Sequence, residues 1–383
     1  MRHVHYLGYL AIPLAFVAHF LLRERHWEPV LTFALAGVGI IPLASLMGDA
    51  TEQLSSRTGP TWGGLLNATF GNAAELIIGV IGLTQGLNDV VKASLTGSIL
   101  GNLLLVSGGA MVVGGWKREK QLFSRSTVET NGGLLTLAVA AMLMPAIFHF
   151  SYGWSDPHLV EHEQGISIGV SVILLAVYAL GLIFTLRTHS HIFSIAPATN
   201  PEDPPGVGAL HAQWTVKRSV IMLLIAAVTV AVVAELLVGS AEKMAHKLGW
   251  NPIFVGVILL AIIGNAAEHS SALRLAYRND MDTAMTITYQ SSLQIALFVT
   301  PVLVLLGALL AATGVGPHVQ VGTAGMNLIF TPMEVVAVLL SVAIVILLGL
   351  DGQTNWFEGV LLLALYAILG IGFFYIPAGS LGR

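Results

Sequence analysis

The chain has 383 residues, of which 55% are hydrophobic and only 10% charged, with a mean hydropathy of +0.80. A soluble protein of this size would carry roughly 25% charged residues, so the composition excludes a soluble domain and describes an all-α polytopic membrane protein. The net charge of −4 argues against nucleic acid as a partner, and the absence of cysteine excludes disulfides and thiolate metal sites while leaving the redox compartment open.

A helix that crosses a bilayer needs about 20 mostly apolar residues, and that rule predicts eleven transmembrane spans. The first, 5–22, follows only Arg2 and has no small-residue cleavage site, so it reads as a retained helix rather than a signal peptide. Spans at 29–55, 61–87, 89–115, 126–150 and 164–187 follow. Next comes the polar connection Arg187–Lys217, whose run Ala-Pro-Ala-Thr-Asn-Pro-Glu-Asp-Pro-Pro-Gly makes it a linker. The last five spans are 217–247, 252–278, 281–313, 325–348 and 355–376. The predicted organisation is an N-terminal transmembrane helix (1–28), a five-helix repeat (29–187), a cytoplasmic linker (188–216) and a second five-helix repeat (217–383).

Two of these spans contain the same pentapeptide, Gly-Asn-Ala-Ala-Glu, at Gly71–Glu75 and Gly264–Glu268. A carboxylate near the middle of a bilayer costs about 2.5–3.5 kcal/mol on insertion scales. A duplicated pair therefore signals one ion site built by two copies of an ancestral unit. The offset of 193 residues that superimposes the pentapeptides also pairs Asp89 with Asp282, Ser98 with Ser291, Leu100 with Leu293 and Leu104 with Leu297. An odd number of spans per unit inserts the second unit from the opposite side. This is the inverted-repeat plan of secondary transporters, with substrate bound near the midplane between the repeats.

Lys and Arg placement sets the orientation. Eleven fall on the side of the N-terminus, among them Arg57, Arg118, Arg125 and Arg187; six fall on the other, among them Lys92, Lys243 and Lys247. The positive-inside rule then puts the N-terminus and the linker in the cytoplasm and the C-terminus outside.

Glu75 and Glu268 lie near the middle of their spans. Asn72 and Asn265, three positions earlier, project from the same helix face. The neighbouring glycine and alanines let backbones approach closely, and a break at Gly71 or Gly264 would release carbonyl oxygens toward a cavity. Such an all-oxygen set suits a hard cation: Ca²⁺ takes 6–8 oxygen ligands in flexible geometry, whereas Mg²⁺ demands a near-ideal octahedron. Two carboxylates balance one divalent ion. When it leaves, two like charges face each other in low dielectric and a proton takes its place. A pair that holds either a divalent cation or protons, but not both, is the physical basis of antiport. The competing reading has these glutamates merely tying helices together.

Further oxygen ligands stand in the following spans. Ser98 with Asn102 (i,i+4) and Ser291 with Gln294 (i,i+3), beside Ser292, form polar stripes that either face the ion or make interhelical hydrogen bonds of about 0.6 kcal/mol each. Glu52, near Asp49, and Glu242, near Glu235, sit closer to the membrane surfaces and are candidates for proton relay or gating; the alternative is a solvated helix end. His269 follows Glu268 directly; an unperturbed imidazole changes charge near neutrality, so it is a candidate to tune that carboxylate or hand on protons, with packing as the rival role. Glu129 and Glu334 receive no role. His189 and His191 form an HxH in the linker, but two ligands alone do not make a zinc site.

The segments Gly63–Ile77 (Gly-Gly-Leu-Leu-Asn-Ala-Thr-Phe-Gly-Asn-Ala-Ala-Glu-Leu-Ile) and Gly264–His269 (Gly-Asn-Ala-Ala-Glu-His) resemble the two repeat motifs of the calcium/proton antiporters of the calcium/cation antiporter superfamily. The resemblance implies an eleven-helix exchanger whose first helix lies outside the repeats, moving Ca²⁺ against H⁺ in a lipid bilayer by alternating access, with no cofactor. It matches Glu75 and Glu268 to essential cation-binding glutamates and Asn72 and Asn265 to the motif asparagines. Ser98, Ser291 and Gln294 match polar positions near the ion, and Glu52 and His269 match accessory positions. Two features depart from the pattern: Gly101, the repeat counterpart of Gln294, lacks a side-chain oxygen, and the linker offers only Glu202 and Asp203 where several relatives have an acidic helix.

The expected function is export of cytosolic Ca²⁺ by exchange for H⁺, with Mn²⁺, Mg²⁺ or Na⁺ as the alternative cargo and a prokaryotic inner membrane as the compatible host. An enzyme is not expected, because no His-Glu-x-x-His stands in the chain and a hydrolytic site would need zinc ligands at membrane depth. A passive channel is separated from an exchanger by stoichiometric proton counter-movement.

Overall fold

The structure, a computed structural model, describes residues 2–23, 25–58, 60–153, 156, 158–189, 214–315 and 325–377. His191, Glu202 and Asp203 of the linker lie outside the described residues. Before the linker the helices are α1 (Arg2–Leu21), α2 (Glu28–Thr58), α3 (Pro60–Phe70), α4 (Ala73–Thr84), α5 (Asn88–Gly115), α6 (Arg125–Tyr152) and α7 (Leu159–Thr188). After it come α8 (Val216–Leu248), α9 (Pro252–Gly264), α10 (Ala266–Tyr277), α11 (Met281–Thr313), α12 (Pro332–Gly349) and α13 (Trp356–Phe374). Among the described residues, 8 helices are long and apolar enough to cross a membrane, and α9 with α10, bent by 61° at a break, makes up to 9. Gly8–Leu21 and Ala73–Thr84 add shorter apolar helices.

Local chemistry sets the helix ends. Ser124, Thr215 and Asn355 side chains accept first-turn N–H groups of α6, α8 and α13, while Gly249 and Gly314 adopt the left-handed conformation that stops α8 and α11. The span expected at 325–348 becomes helical only at Pro332, because Thr331 and Glu334 form a reciprocal capping box there. Glu334 is thereby explained. It is 3% exposed, starts α12, and accepts a hydrogen bond from Thr96 Oγ1 of α5 at 3.1 Å. Glu129 pairs at the surface with Arg125 at 2.8 Å.

The connections gather at two ends of the bundle. At the linker end, the Trp214 N–H donates to Gln53 Oε1 (3.1 Å) and the Ser124 N–H to Asp282 Oδ1 (2.6 Å). A two-stranded antiparallel ribbon there pairs Gln121 with Thr354 and Leu122 with Gln353. At the far end, Gln85 Nε2 donates to the Glu235 carbonyl (3.2 Å), Lys92 Nζ to the Ile329 carbonyl (3.0 Å) and Asn251 Nδ2 to the Ile376 carbonyl (3.0 Å). Helices α2 and α8 therefore run antiparallel along each other.

The apolar core has two parts. One joins α2, α4 and α8 through residues such as Ile40, Met47, Ile78, Val233 and Leu237; the other joins α5, α6, α11, α12 and α13 through Leu103, Leu135, Leu297, Val338 and Phe373. Helix α5 crosses α9 backbone to backbone. A Cβ on Gly97 would overlap the Val257 carbonyl, and one on Gly256 would stand 2.6 Å from Ala93 Cβ. Small residues at this crossing bring the two halves of the chain together at the depth of the pentapeptides.

Candidate ion-binding site

Both pentapeptides lie across helix breaks. Asn72 (φ −105°, ψ 35°) separates α3 from α4, and Asn265 (φ −92°, ψ 7°) separates α9 from α10. The spelling Asn-x-x-Glu at a helix start suits a capping box, yet neither asparagine side chain caps its own helix. Each is spent on the opposite half of the chain.

Asn72 Nδ2 donates to Gln294 Oε1 (2.7 Å), and Asn72 Oδ1 accepts from Ser291 Oγ (3.0 Å). Asn265 Nδ2 donates to Ser98 Oγ (2.8 Å) and to the Ala261 carbonyl (2.9 Å). Asn102 Nδ2 closes the chain by donating to Ser291 Oγ (2.8 Å) and Asn265 Oδ1 (3.4 Å). The two motif asparagines thus each bond the serine of the other half, Asn72 accepting through Oδ1 and Asn265 donating through Nδ2. Asn102, Asn265, Ser98, Ser291 and Asn72 are all nearly inaccessible to solvent.

The carboxylates stand at the third residue of the helices that follow the breaks. The amide ends of α4 and α10 favour negative charge there, and the carbonyl ends of α3 and α9 terminate at the same breaks. Glu75 Oε1 lies 3.5 Å from where a Gly264 Cβ would stand, so the first-half carboxylate rests against the second-half break. Reciprocally, Gln294 Oε1 lies 3.0 Å from the place of a Gly71 Cβ. A Cβ at Gly71 would press on the Asn67 carbonyl and on Gln294, whereas one at Gly264 would just touch Glu75. Glu268 Oε2 and His269 Nε2 are buried without a hydrogen-bond partner. His269 Nε2 also stands 3.9 Å from where a Gly101 Cβ would be, so its imidazole lies beside the polar face of α5.

Among the described residues there is no group of three or more His, Cys, Asp and Glu side chains that could hold a metal. The donor set is two carboxylates with neutral amide and hydroxyl oxygens, which fits a hard cation of flexible coordination. The buried, unpartnered oxygen of Glu268 agrees with that fit, since a carboxylate oxygen removed from water needs a cation or a proton beside it.

Glu75 and Ser98 also line a cavity of about 10 Å³ with Val90, Ser94, Val238 and Leu260, room for about one water. Val90 is shared with a vestibule of about 370 Å³ at the far end, lined further by Asp89, Lys92, Glu242 and Asn327. Glu242 stands on that wall, 3.6 Å from His246 Nε2. Glu52 is exposed toward the linker end of α2, close to Asp49. These two glutamates therefore occupy opposite ends of the bundle and do not join the central group. Ser292 donates to the Thr288 carbonyl (2.9 Å) and packs. His189 bonds Thr188 and stacks on Phe184.

Asn102, read from the sequence as either facing the ion or bonding between helices, is the hub of the network. The letters Gly-x-Ser-x-Gly do occur, at Gly165–Gly169, but Ser167 sits inside α7, donates to the Glu163 carbonyl (2.7 Å) and accepts from the Leu328 N–H (3.0 Å). A nucleophile elbow needs a strand-to-helix turn, and this serine is helix packing.

The profile of the family described as sodium/calcium exchanger protein matches the chain twice, over residues 28–187 and 218–375. A Ca²⁺/H⁺ antiporter of Aphanothece halophytica is 41% identical over 379 residues, covering 96% of this chain and 95% of that protein. The Ca²⁺/H⁺ antiporter ChaA of Bacillus subtilis (strain 168) is 43% identical over 354 residues, covering 92% and 94%. The solved structure of native YfkE, described in its selenium-substituted form as a Ca²⁺/H⁺ antiporter protein, superposes with a TM-score of 0.76 at 38% identity, covering 97% of this chain and 100% of that one.

Proposed function

This chain belongs to the sodium/calcium exchanger protein family, and we infer from its site that it is a secondary active transporter exchanging Ca²⁺ for H⁺. The observation that carries the reading is Glu75 of the first half resting against the Gly264 break that leads into Glu268 of the second, beside a hydrogen-bonded chain in which Asn72, Ser98, Asn102, Asn265, Ser291 and Gln294 alternate between the halves.

The two carboxylates, the Asn72 and Asn265 amide oxygens, the Ser98 and Ser291 hydroxyls and Gln294 supply enough oxygens for the 6–8 that Ca²⁺ takes. The ion's two charges balance those of the glutamates. The network holds the neutral oxygens in place before the ion arrives, which lowers the ordering cost of binding. Once Ca²⁺ departs, the carboxylates repel each other in a poorly screened pocket, and protons relieve that repulsion. Ca²⁺ and H⁺ thus compete for the same two groups, so movement of one drives the other.

In this reading the chain crosses the membrane eleven times: α1, then two inverted five-span repeats over 29–187 and 217–383 joined by the linker 188–216, with α3–α4 and α9–α10 as the broken spans. The double profile match and the antiparallel α2 and α8 support that plan. The linker end faces the cytoplasm, consistent with Arg57, Arg118 and Arg125 there and Lys92, Lys243 and Lys247 opposite. The N-terminus is cytoplasmic, the C-terminus outside, and the host is a plasma membrane from which cytosolic Ca²⁺ is expelled. Glu242 lines the outer approach, Glu52 the inner one, and His269 passes protons to Glu268. The seam between the two apolar cores runs through the Glu75 cavity, so sliding one body along the other changes which end has access.

Reconstitution in liposomes tests the function. An imposed proton gradient should drive Ca²⁺ uptake with measurable H⁺ counter-flow, and a panel of Mn²⁺, Mg²⁺ and Na⁺ should compete weakly. Ca²⁺ flux with no H⁺ movement would identify a channel and end this reading.

A further inference from the structure

We propose that Ser107 and Thr300 are positioning residues for this exchange, closing a matched pair of π-helical bulges that keep the ion-facing side chains in register. The proposal rests on the exchange reading above. Helix α5 is π-helical over Gly101–Val106 and α11 over Ile295–Val299. Displaced by 193 residues, positions 102–106 fall on 295–299 and Ser107 falls on Thr300. Both bulges close in the same way. The Ser107 N–H donates to the Asn102 carbonyl, and Ser107 Oγ lies 3.1 Å from the same oxygen. The Thr300 N–H donates to the Ile295 carbonyl, and Thr300 Oγ1 lies 2.8 Å from it.

A carbonyl that takes both the backbone and the hydroxyl donor of the residue five positions on is pinned in the wide turn. It is not free to return to a partner four positions on. The geometric consequence is large. In an uninterrupted α-helix the ninth residue after Ser98 would lie about 180° around the axis, whereas absorbing one residue in the bulge brings it to about 80°. Ser98, Asn102 and Ser107 therefore share one side of α5. From that side Ser107 Oγ also lies 3.0 Å from Thr288 Oγ1, one turn before Ser291 on α11. Bulges of this kind recur at functional sites because they re-aim the side chains of a helix without ending it.

The other π-helical stretches provide the contrast. Phe184–Thr188 and Val255–Leu260 are followed by His189 and Ala261, which have no hydroxyl, and residues 62–67, the counterpart of 255–260, are plain α-helix. Among the described residues, a hydroxyl bonded to the carbonyl five positions back occurs twice, once behind each set of ion-facing groups. Without these hydroxyls the extra residue is free to migrate along the helix, and Ser98, Asn102, Ser291 and Gln294 lose their registration with the two carboxylates.

Paired substitutions separate the hydroxyl from the packing. Thr300→Val keeps the shape and removes the hydroxyl, whereas Thr300→Ser keeps the hydroxyl and removes a methyl; Ser107→Ala and Ser107→Thr form the second pair. In proteoliposomes with a fixed pH gradient, Thr300→Val and Ser107→Ala should raise the Ca²⁺ KM about tenfold, equivalent to about 1.4 kcal/mol, with little change in maximal rate. Thr300→Ser and Ser107→Thr should stay near wild type. A packing role predicts the opposite order at residue 300. Wild-type KM in either hydroxyl-free variant overturns the proposal, as does failure of both to insert while the hydroxyl-bearing pair inserts normally. Wild-type liposomes that exchange no Ca²⁺ for H⁺ would instead sink the exchange reading itself.

Discussion

Glutamine in place of Glu268 keeps the size and one oxygen of the side chain and removes its charge. With Ca²⁺ in the pocket, Glu75 alone then faces a doubly charged ion, leaving one positive charge unbalanced in a half-buried, poorly screened site. Removing one partner of a buried ion pair costs about 3–5 kcal/mol. At about 1.4 kcal/mol per decade, Ca²⁺ binding should weaken by about two to three and a half decades. Little of that is recovered locally, because Glu268 Oε2 has no hydrogen-bond partner for an amide to inherit. The loss should appear as absent proton-driven ⁴⁵Ca²⁺ uptake in proteoliposomes, and as a matching fall in equilibrium Ca²⁺ binding by protein that still elutes as a single species. Glu75→Gln should behave alike, since the site takes one carboxylate from each half. Glu129→Gln is the internal control: that carboxylate pairs with Arg125 at the exposed surface, and the change should cost less than about threefold, as for other solvent-screened pairs. Full uptake by Glu75→Gln or Glu268→Gln would refute the reasoning.

Asn102→Ala deletes the hub and both of its interhelical bonds; at about 0.6 kcal/mol each in a bilayer, thermal unfolding in detergent should fall by a few degrees while Ca²⁺ affinity falls with it. Gly97→Ala drives a methyl into the Val257 carbonyl and should cost about 1–3 kcal/mol of stability; Gly133→Ala, which meets nothing within 4 Å, should unfold like wild type. In the connection between α6 and α7, Asp156 Oδ2 lies 2.7 Å from the His162 ring nitrogen and Oδ1 accepts the His158 N–H at 2.9 Å. These bonds, the His162 contact foremost, hold its carboxyl below the ordinary 3.8. A depressed carboxyl stabilises above its unfolded value and loses that effect as pH falls through the folded one. Protection of the His158 amide from hydrogen exchange, taken relative to its intrinsic rate at each pH, should therefore persist from neutral pH down to the ordinary carboxylate range and fall only below it; loss of protection near pH 6 would contradict the assignment.

What the sequence made legible follows from cost. A glutamate at membrane depth is expensive enough that its duplication in Gly-Asn-Ala-Ala-Glu points to a site, and Asn72, Asn265, Ser98, Ser291 and Gln294 do converge beside Glu75 and Glu268. The breaks at Asn72 and Asn265 were foreseeable because glycine precedes each asparagine, although which atoms the asparagines would engage was not. Their side chains abandon the local caps that the spelling suggests, a tertiary preference with no local signature. Glu334 had a legible signal, Thr-Pro-Met-Glu, obscured by the apolar residues from 325 onward. Ser107 in α5, like Thr300 in α11, resembled ordinary hydroxyl packing, because a π-bulge changes helical phase without changing hydropathy.

The amide chain has a further consequence for biosynthesis. Its links join residues 163 to 222 positions apart in the chain. While the ribosome is still translating the linker, Asn72, Ser98 and Asn102 are already in the insertion machinery and their partners do not yet exist. The nascent first half must carry those polar groups unsatisfied until Gln294 emerges, so the pocket is among the last parts of the molecule to mature. Quality-control proteases that survey stalled membrane intermediates meet it in its most vulnerable form, and a first half expressed alone should be short-lived unless the second is supplied in trans.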